Sequence, residues 1–153
     1  MNTGLDYKRD IELMSNDLTF LLKSSSTCKK IPKGTYLFQE GEDACELYLI
    51  QSGLFQISKL TMDGKELTMR ISKKNDLIGE LILFADKSKY MLSALALEES
   101  EVLVVKKSYL EKELTRKASL TLEFMRFFFL YFSVQAFLFR LGMLKGPGFP
   151  VFY

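Results

Sequence analysis

The period of the hydrophobic positions changes twice along the chain, and the two changes divide it into three parts. From about Tyr7 to Lys23, the residues Ile11, Met14, Leu18, Leu21 and Leu22 recur at helical spacing, with Lys8, Arg9, Glu12 and Asp17 available for the opposite face. The spacing predicts an amphipathic helix, broken by Ser24, Ser25 and Ser26. Between Ile31 and Val105 the pattern becomes one of short strands separated by turn residues. Strands are expected at Thr35–Phe38, Glu46–Ile50, Leu54–Leu60, Leu67–Ser72, Leu77–Phe84, Met91–Leu97 and Val102–Val105. Asp63-Gly64 marks a tight hairpin, because glycine accepts the positive φ that such turns require. In the strand that follows, Leu67, Met69 and Ile71 alternate with Thr68, Arg70 and Ser72, which predicts one apolar and one polar face.

Helical spacing returns after Lys107. Ser108, with Glu111 three residues later, reads as a capping box, and a second helix is expected from near Ser119, with Glu123 near its first turn. That helix runs into Phe127–Leu144, whose clearly polar side chains are Ser133, Gln135 and Arg140. Lys145-Gly146-Pro147-Gly148 must end it. The expected fold class is α+β: an antiparallel β-roll or jelly roll of about eight strands, flanked by an N-terminal helix and C-terminal helices. The roll and its flanking helices take residues 1–118, a long apolar helix 119–145, and an unstructured tail 146–153.

A chain of 153 residues suffices for one domain with a proper core. The formal charge of +2 provides no whole-protein basic field of the kind that marks nucleic-acid binders. Met1–Asp10 lacks an apolar run, so no signal peptide is expected, and the two cysteines, Cys28 and Cys45, point to a reducing compartment. A cytoplasmic protein is the expectation. The composition contains no histidine, which removes Ser-His-Asp and Cys-His nucleophile systems and His-ligated zinc or iron. No pair of acids stands out either. The chain is therefore read as a non-enzyme with no catalytic residue and no metal site.

Lys33 to Ile57 reads KGTYLFQEGEDACELYLIQSGLFQI, and a later segment reads Leu77-Ile78-Gly79-Glu80-Leu81. Gly34, Gly41 and Gly53 at these spacings, followed by Gly-Glu-Leu, closely resemble the double-glycine signature and phosphate-binding cassette of cyclic-nucleotide-binding domains. The helix-roll-helix order resembles the sensor domain of Crp/Fnr-type transcription regulators over roughly residues 5 to 126. The resemblance implies that Gly79 lets the backbone approach a phosphate and that Glu80 accepts a hydrogen bond from a ribose 2′-hydroxyl. It also implies a downstream Arg-Ser pair that holds the cyclic phosphate, but here those positions are Tyr90-Met91. Tyrosine cannot neutralise a phosphate, and methionine donates no hydrogen bond. Lys89 and Lys87 lie nearby, yet lysine lacks the bidentate guanidinium fork.

The candidate pocket is thus Gly79, Glu80, Leu81, Lys89, Tyr90 and Met91. The effector is left unidentified, with a cyclic nucleotide disfavoured. The resemblance implies the sensor and dimerisation half of a transcription regulator, a homodimer formed through the long C-terminal helix, and room for a small-molecule effector. DNA binding is expected only with a helix-turn-helix domain restored, since nothing after Ser119 offers two helices with a polar, basic recognition face. The alternative is a freestanding or membrane-tethered ligand-binding module acting through protein contacts. Phe127–Leu144 is near the lower limit of about 20 residues for a membrane span. Three readings stand for it: a dimer helix, a membrane contact, or a truncated or frame-shifted tail foreign to the family. Cys28 and Cys45 are either a switchable pair or small, half-buried apolar side chains.

Overall fold

The computed structural model describes residues 16–24, 27–83, 88–126 and 129. The first half of the expected N-terminal helix, Lys87, the remainder of Phe127–Leu144 and the tail from 146 onward lie outside the described residues. Helix α1 spans Asn16–Ser24 and buries Leu21 and Leu22. Eight strands follow: β1 Thr27–Ile31, β2 Tyr36–Phe38, β3 Glu46–Ser52, β4 Phe55–Leu60, β5 Glu66–Ser72, β6 Leu77–Ile78, β7 Ser93–Ala96 and β8 Ser100–Lys106. They form two four-stranded antiparallel sheets, β1-β8-β3-β6 and β2-β7-β4-β5. Phe55, Ile57, Leu47, Ile50, Ile78 and Val102 fill the space between them.

Three details depart from the sequence reading. β1 begins at Thr27 and pairs along its whole length with β8, although no strand is expected before Ile31. Its first four residues are exposed, so it carries no apolar alternation, and it lies at the edge of its sheet. The strand expected at Leu77–Phe84 stops after Ile78, and the chain tightens into a 3-10 turn over Glu80–Leu83. Finally, Ser108 caps nothing. Helix α2, Lys107–Arg116, leaves β8 directly, with Lys106 in extended conformation at its start and no side-chain cap. The Lys107 amide donates instead to the Cys45 carbonyl of the neighbouring chain segment, 2.9 Å away, and the Lys107 ammonium lies 3.6 Å from Glu111.

Helix α2 buries Leu110 and packs against β8 and the 3-10 turn. Lys117 interrupts it with extended backbone, and residues 118–126 form a further helix, α3. Leu120 and Phe124 of α3 enter the core, while Thr121 donates its hydroxyl across the break to the Leu114 carbonyl.

Gly53 shows why one turn demands glycine. Its φ is +94°, and a Cβ there would stand 2.7 Å from the Ser100 backbone. Cys28 and Cys45 are both exposed rather than half-buried. Cys28 is level with Leu103, as is Leu49 on the far side of β8, and Cys45 precedes Leu49 by four positions. Strand spacing and rise put the two Cα atoms about 16 Å apart, well beyond the reach of a disulfide.

Candidate functional site

The 3-10 turn, β5 and the segment after Lys89 surround a cleft whose empty space, mouth included, is about 290 Å³. Its walls are mostly apolar, with Phe38, Ile57, Ile82 and Leu92 prominent. Of the expected site residues, Gly79, Glu80, Leu81, Tyr90 and Met91 line it together. Lys89 does not: its ammonium pairs with Asp43 at 2.8 Å on the exposed surface. That partner holds the Asp43 carboxyl below the usual carboxylate range.

Tyr90 points inward. Its ring stacks on Phe38 with centroids 4.1 Å apart and planes 11° from parallel, and only 6% of the residue is exposed. The phenol donates to the Glu46 carbonyl at 2.8 Å and lies 3.5 Å from the Tyr48 hydroxyl, which itself donates to the Glu46 carboxylate. Burial, more than any neighbour, pushes both phenols above the usual tyrosine range. The backbone fixes the segment as firmly as the side chain does. The Tyr90 amide donates to the Glu42 carbonyl at 3.0 Å, and the Tyr90 carbonyl accepts from Gly41 at 2.8 Å. Gly79, at φ +77°, would carry any Cβ within 3.4 Å of the Tyr90 ring.

Glu80 is 4% exposed and is held by a residue the sequence pattern did not single out. The Arg70 guanidinium donates to its carboxylate at 3.1 Å and approaches the Leu77 carbonyl at 3.5 Å. Arg70 reaches the cleft because β5 bulges. Ile57 pairs with Arg70 and Ser58 with Thr68, so Met69 is the extra residue. The phase of the alternation reverses there, burying Ser72 and leaving Ile71 half exposed, contrary to the uninterrupted pattern expected of Leu67–Ser72. Asp76 sits in the same neighbourhood, its carboxyl raised by burial against the lowering influence of Lys73 and Arg70. No group of three or more potential metal ligands occurs among the described residues. No helix among them is long and apolar enough to cross a membrane.

Comparison with known proteins agrees with this geometry. Residues 28–117 match the cyclic nucleotide-binding domain. The anaerobic regulatory protein of Bacillus subtilis (strain 168) is 59% identical over 117 residues, covering 76% of this chain and 49% of that protein. The chain therefore spans about half the length of that relative. The sensor domain of the transcriptional regulator DNR from Pseudomonas aeruginosa superimposes with TM-score 0.66 at 24% identity, covering 89% of this chain and 87% of that one. The catabolite activator protein of Thermus thermophilus gives TM-score 0.69 at 21% identity, over 88% and 62% of the two chains. The last two likenesses establish the fold. The family match over more than half of its residues shows that the chain belongs to the cyclic nucleotide-binding domain family.

Proposed function

We propose that this domain is the sensor of a Crp/Fnr-type regulator, that it does not read cyclic nucleotides, and that it acts by binding and dimerisation rather than by catalysis. The observation that carries this reading is Tyr90. At the position where the family resemblance implies a phosphate-holding arginine, the chain has a phenol stacked on Phe38 and bonded to β3. A cyclic phosphate entering this cleft would meet no guanidinium from that position, and Met91 beside it offers no donor. Gly79, Glu80, Leu81, Tyr90 and Met91 would then face a small effector of other chemistry, with Lys89 outside it. The cytoplasm is the compartment that fits such a regulator.

The route from cleft to output runs through the 3-10 turn, which touches both β3 and α2. α2 is fastened to α3 by the Thr121 hydroxyl. The outward face of α3 carries Leu122 and Met125, each more than half exposed, and the exposed Phe129 follows them at helical spacing. Pairing of that stripe with its twin supports a homodimer in which movement of the turn alters the angle between protomers. Any DNA-reading step would need a helix-turn-helix domain beside this sensor, and the chain spans about half the length of the curated relative. The test is calorimetric titration of the full chain with cAMP and with cGMP. No saturable heat is expected in the micromolar range, and a dissociation constant of micromolar or tighter would overturn the reading.

A further inference from the structure

We infer that Arg70 is a specificity-determining residue of the cleft, withholding Glu80 from any ligand hydroxyl and making the roll refuse cyclic nucleotides independently of Tyr90. The inference rests on the reading that this cleft is the sensor's pocket. Two observations carry it. Arg70 is brought inward by the bulge at Met69; without the extra residue it would share the exposed face of Thr68. Its guanidinium lies 3.1 Å from Glu80, with side-chain exposures of only 14% and 6%. A pair so enclosed is screened far less than a surface pair, so a ribose hydroxyl, a neutral donor, competes poorly with a charged one for the same carboxylate oxygen.

The consequence is a two-lock pocket, in which undoing either lock alone leaves binding weak. The experiment uses three variants of the full chain: Tyr90→Arg with Met91→Ser, Arg70→Gln alone, and all three changes together. Calorimetry with cAMP should give weak binding for the first and at least tenfold tighter binding for the triple variant. Measurable but equal affinity in the two would overturn the role of Arg70. Hydrogen exchange gives a second readout that needs no ligand. Arg70→Gln alone should speed exchange over residues 79–83 by about tenfold while β3 and β8 stay protected, and unchanged exchange there would likewise overturn it. If neither ligand variant binds yet the exchange effect is present, the reading of position 90 fails while the Arg70 clamp stands. Should Arg70→Gln fail to fold, Arg70→Met, which keeps an extended side chain but offers no donor, carries the same comparisons.

Discussion

Tyr90 does two jobs that separate by mutation. The ring fills the space against Phe38, and the hydroxyl satisfies the Glu46 carbonyl. Tyr90→Phe keeps the stack and loses one hydrogen bond, so about 1 kcal/mol of stability should go. Tyr90→Ala opens a cavity in a buried site and should cost about 3–5 kcal/mol. Urea titration of the three proteins checks this, and equal losses for Phe and Ala would refute the division. The raised pKa values of Tyr48 and Tyr90 also set a pH dependence. An unfolded tyrosine ionises near pH 10, while the folded phenols still hold their protons. The folded state then binds more protons, so the stability they contribute is complete below about pH 10 and is lost as pH rises beyond it. Wild type should therefore lose stability more steeply than Tyr90→Phe between about pH 10 and 11, as read from melting curves. Gly53 makes a sharper local demand. Gly53→Ala drives a Cβ into the Ser100 backbone at positive φ, whereas Gly64 has the same sign of φ and open space around it. Gly64→Ala should cost about 1–2 kcal/mol of backbone strain and Gly53→Ala clearly more. Similar melting temperatures for the two would contradict the close approach.

At the scale of elements, the break at Lys117 leaves α3 dependent on a few bonds and on Leu120 and Phe124. Thr121→Val removes the hydroxyl that reaches Leu114, and hydrogen exchange should then quicken over residues 118–126 with the sheets unaffected. Protection unchanged in α3 would mean the apolar contacts alone hold it. The same scale explains what the sequence could and could not convey. β3, β4 and β8 were legible because most of their buried positions are apolar and glycine or Asp-Gly turns punctuate them. β1 was not, because Thr27, Cys28, Lys29 and Lys30 all face solvent and only pairing with β8 defines the strand. Gly79, Glu80 and Tyr90 could be placed from local motifs. Arg70 could not, since its inward aim follows from one unpaired residue in a ladder between β4 and β5. A bulge is a property of two strands and leaves little trace in one. The Ser108 capping box failed for a related reason: the Lys107 amide already had a tertiary acceptor in Cys45, and the helix began two residues earlier, with Lys106 at the cap position.

For the whole molecule, the decisive quantity is the apolar surface that the roll does not cover. Leu122 and Met125 on α3 are 53% and 57% exposed, Phe129 beyond them is 72% exposed, and Phe20 is 74% exposed on α1. Scattered exposed hydrophobics need no explanation, but three at helical spacing form a stripe. Fully burying a side chain of this size is worth about 1.5–3 kcal/mol, so each residue gains part of that from a partner. In a symmetric dimer the gain is repeated on the second protomer, because the same patch serves both sides. Association also loses translational and rotational freedom worth about 4–15 kcal/mol, so three residues per protomer sustain only a modest dimer by themselves. The expected outcome is self-association of the full chain at tens of micromolar that weakens on dilution. Leu122→Glu and Met125→Glu together should shift it towards monomer without lowering the melting temperature, since neither residue belongs to the core. Phe129→Asp should act in the same direction, and ending the chain at Arg126 should make it more soluble. Light scattering that finds the intact wild-type chain monomeric at that concentration in detergent-free buffer would remove the stripe as an interface.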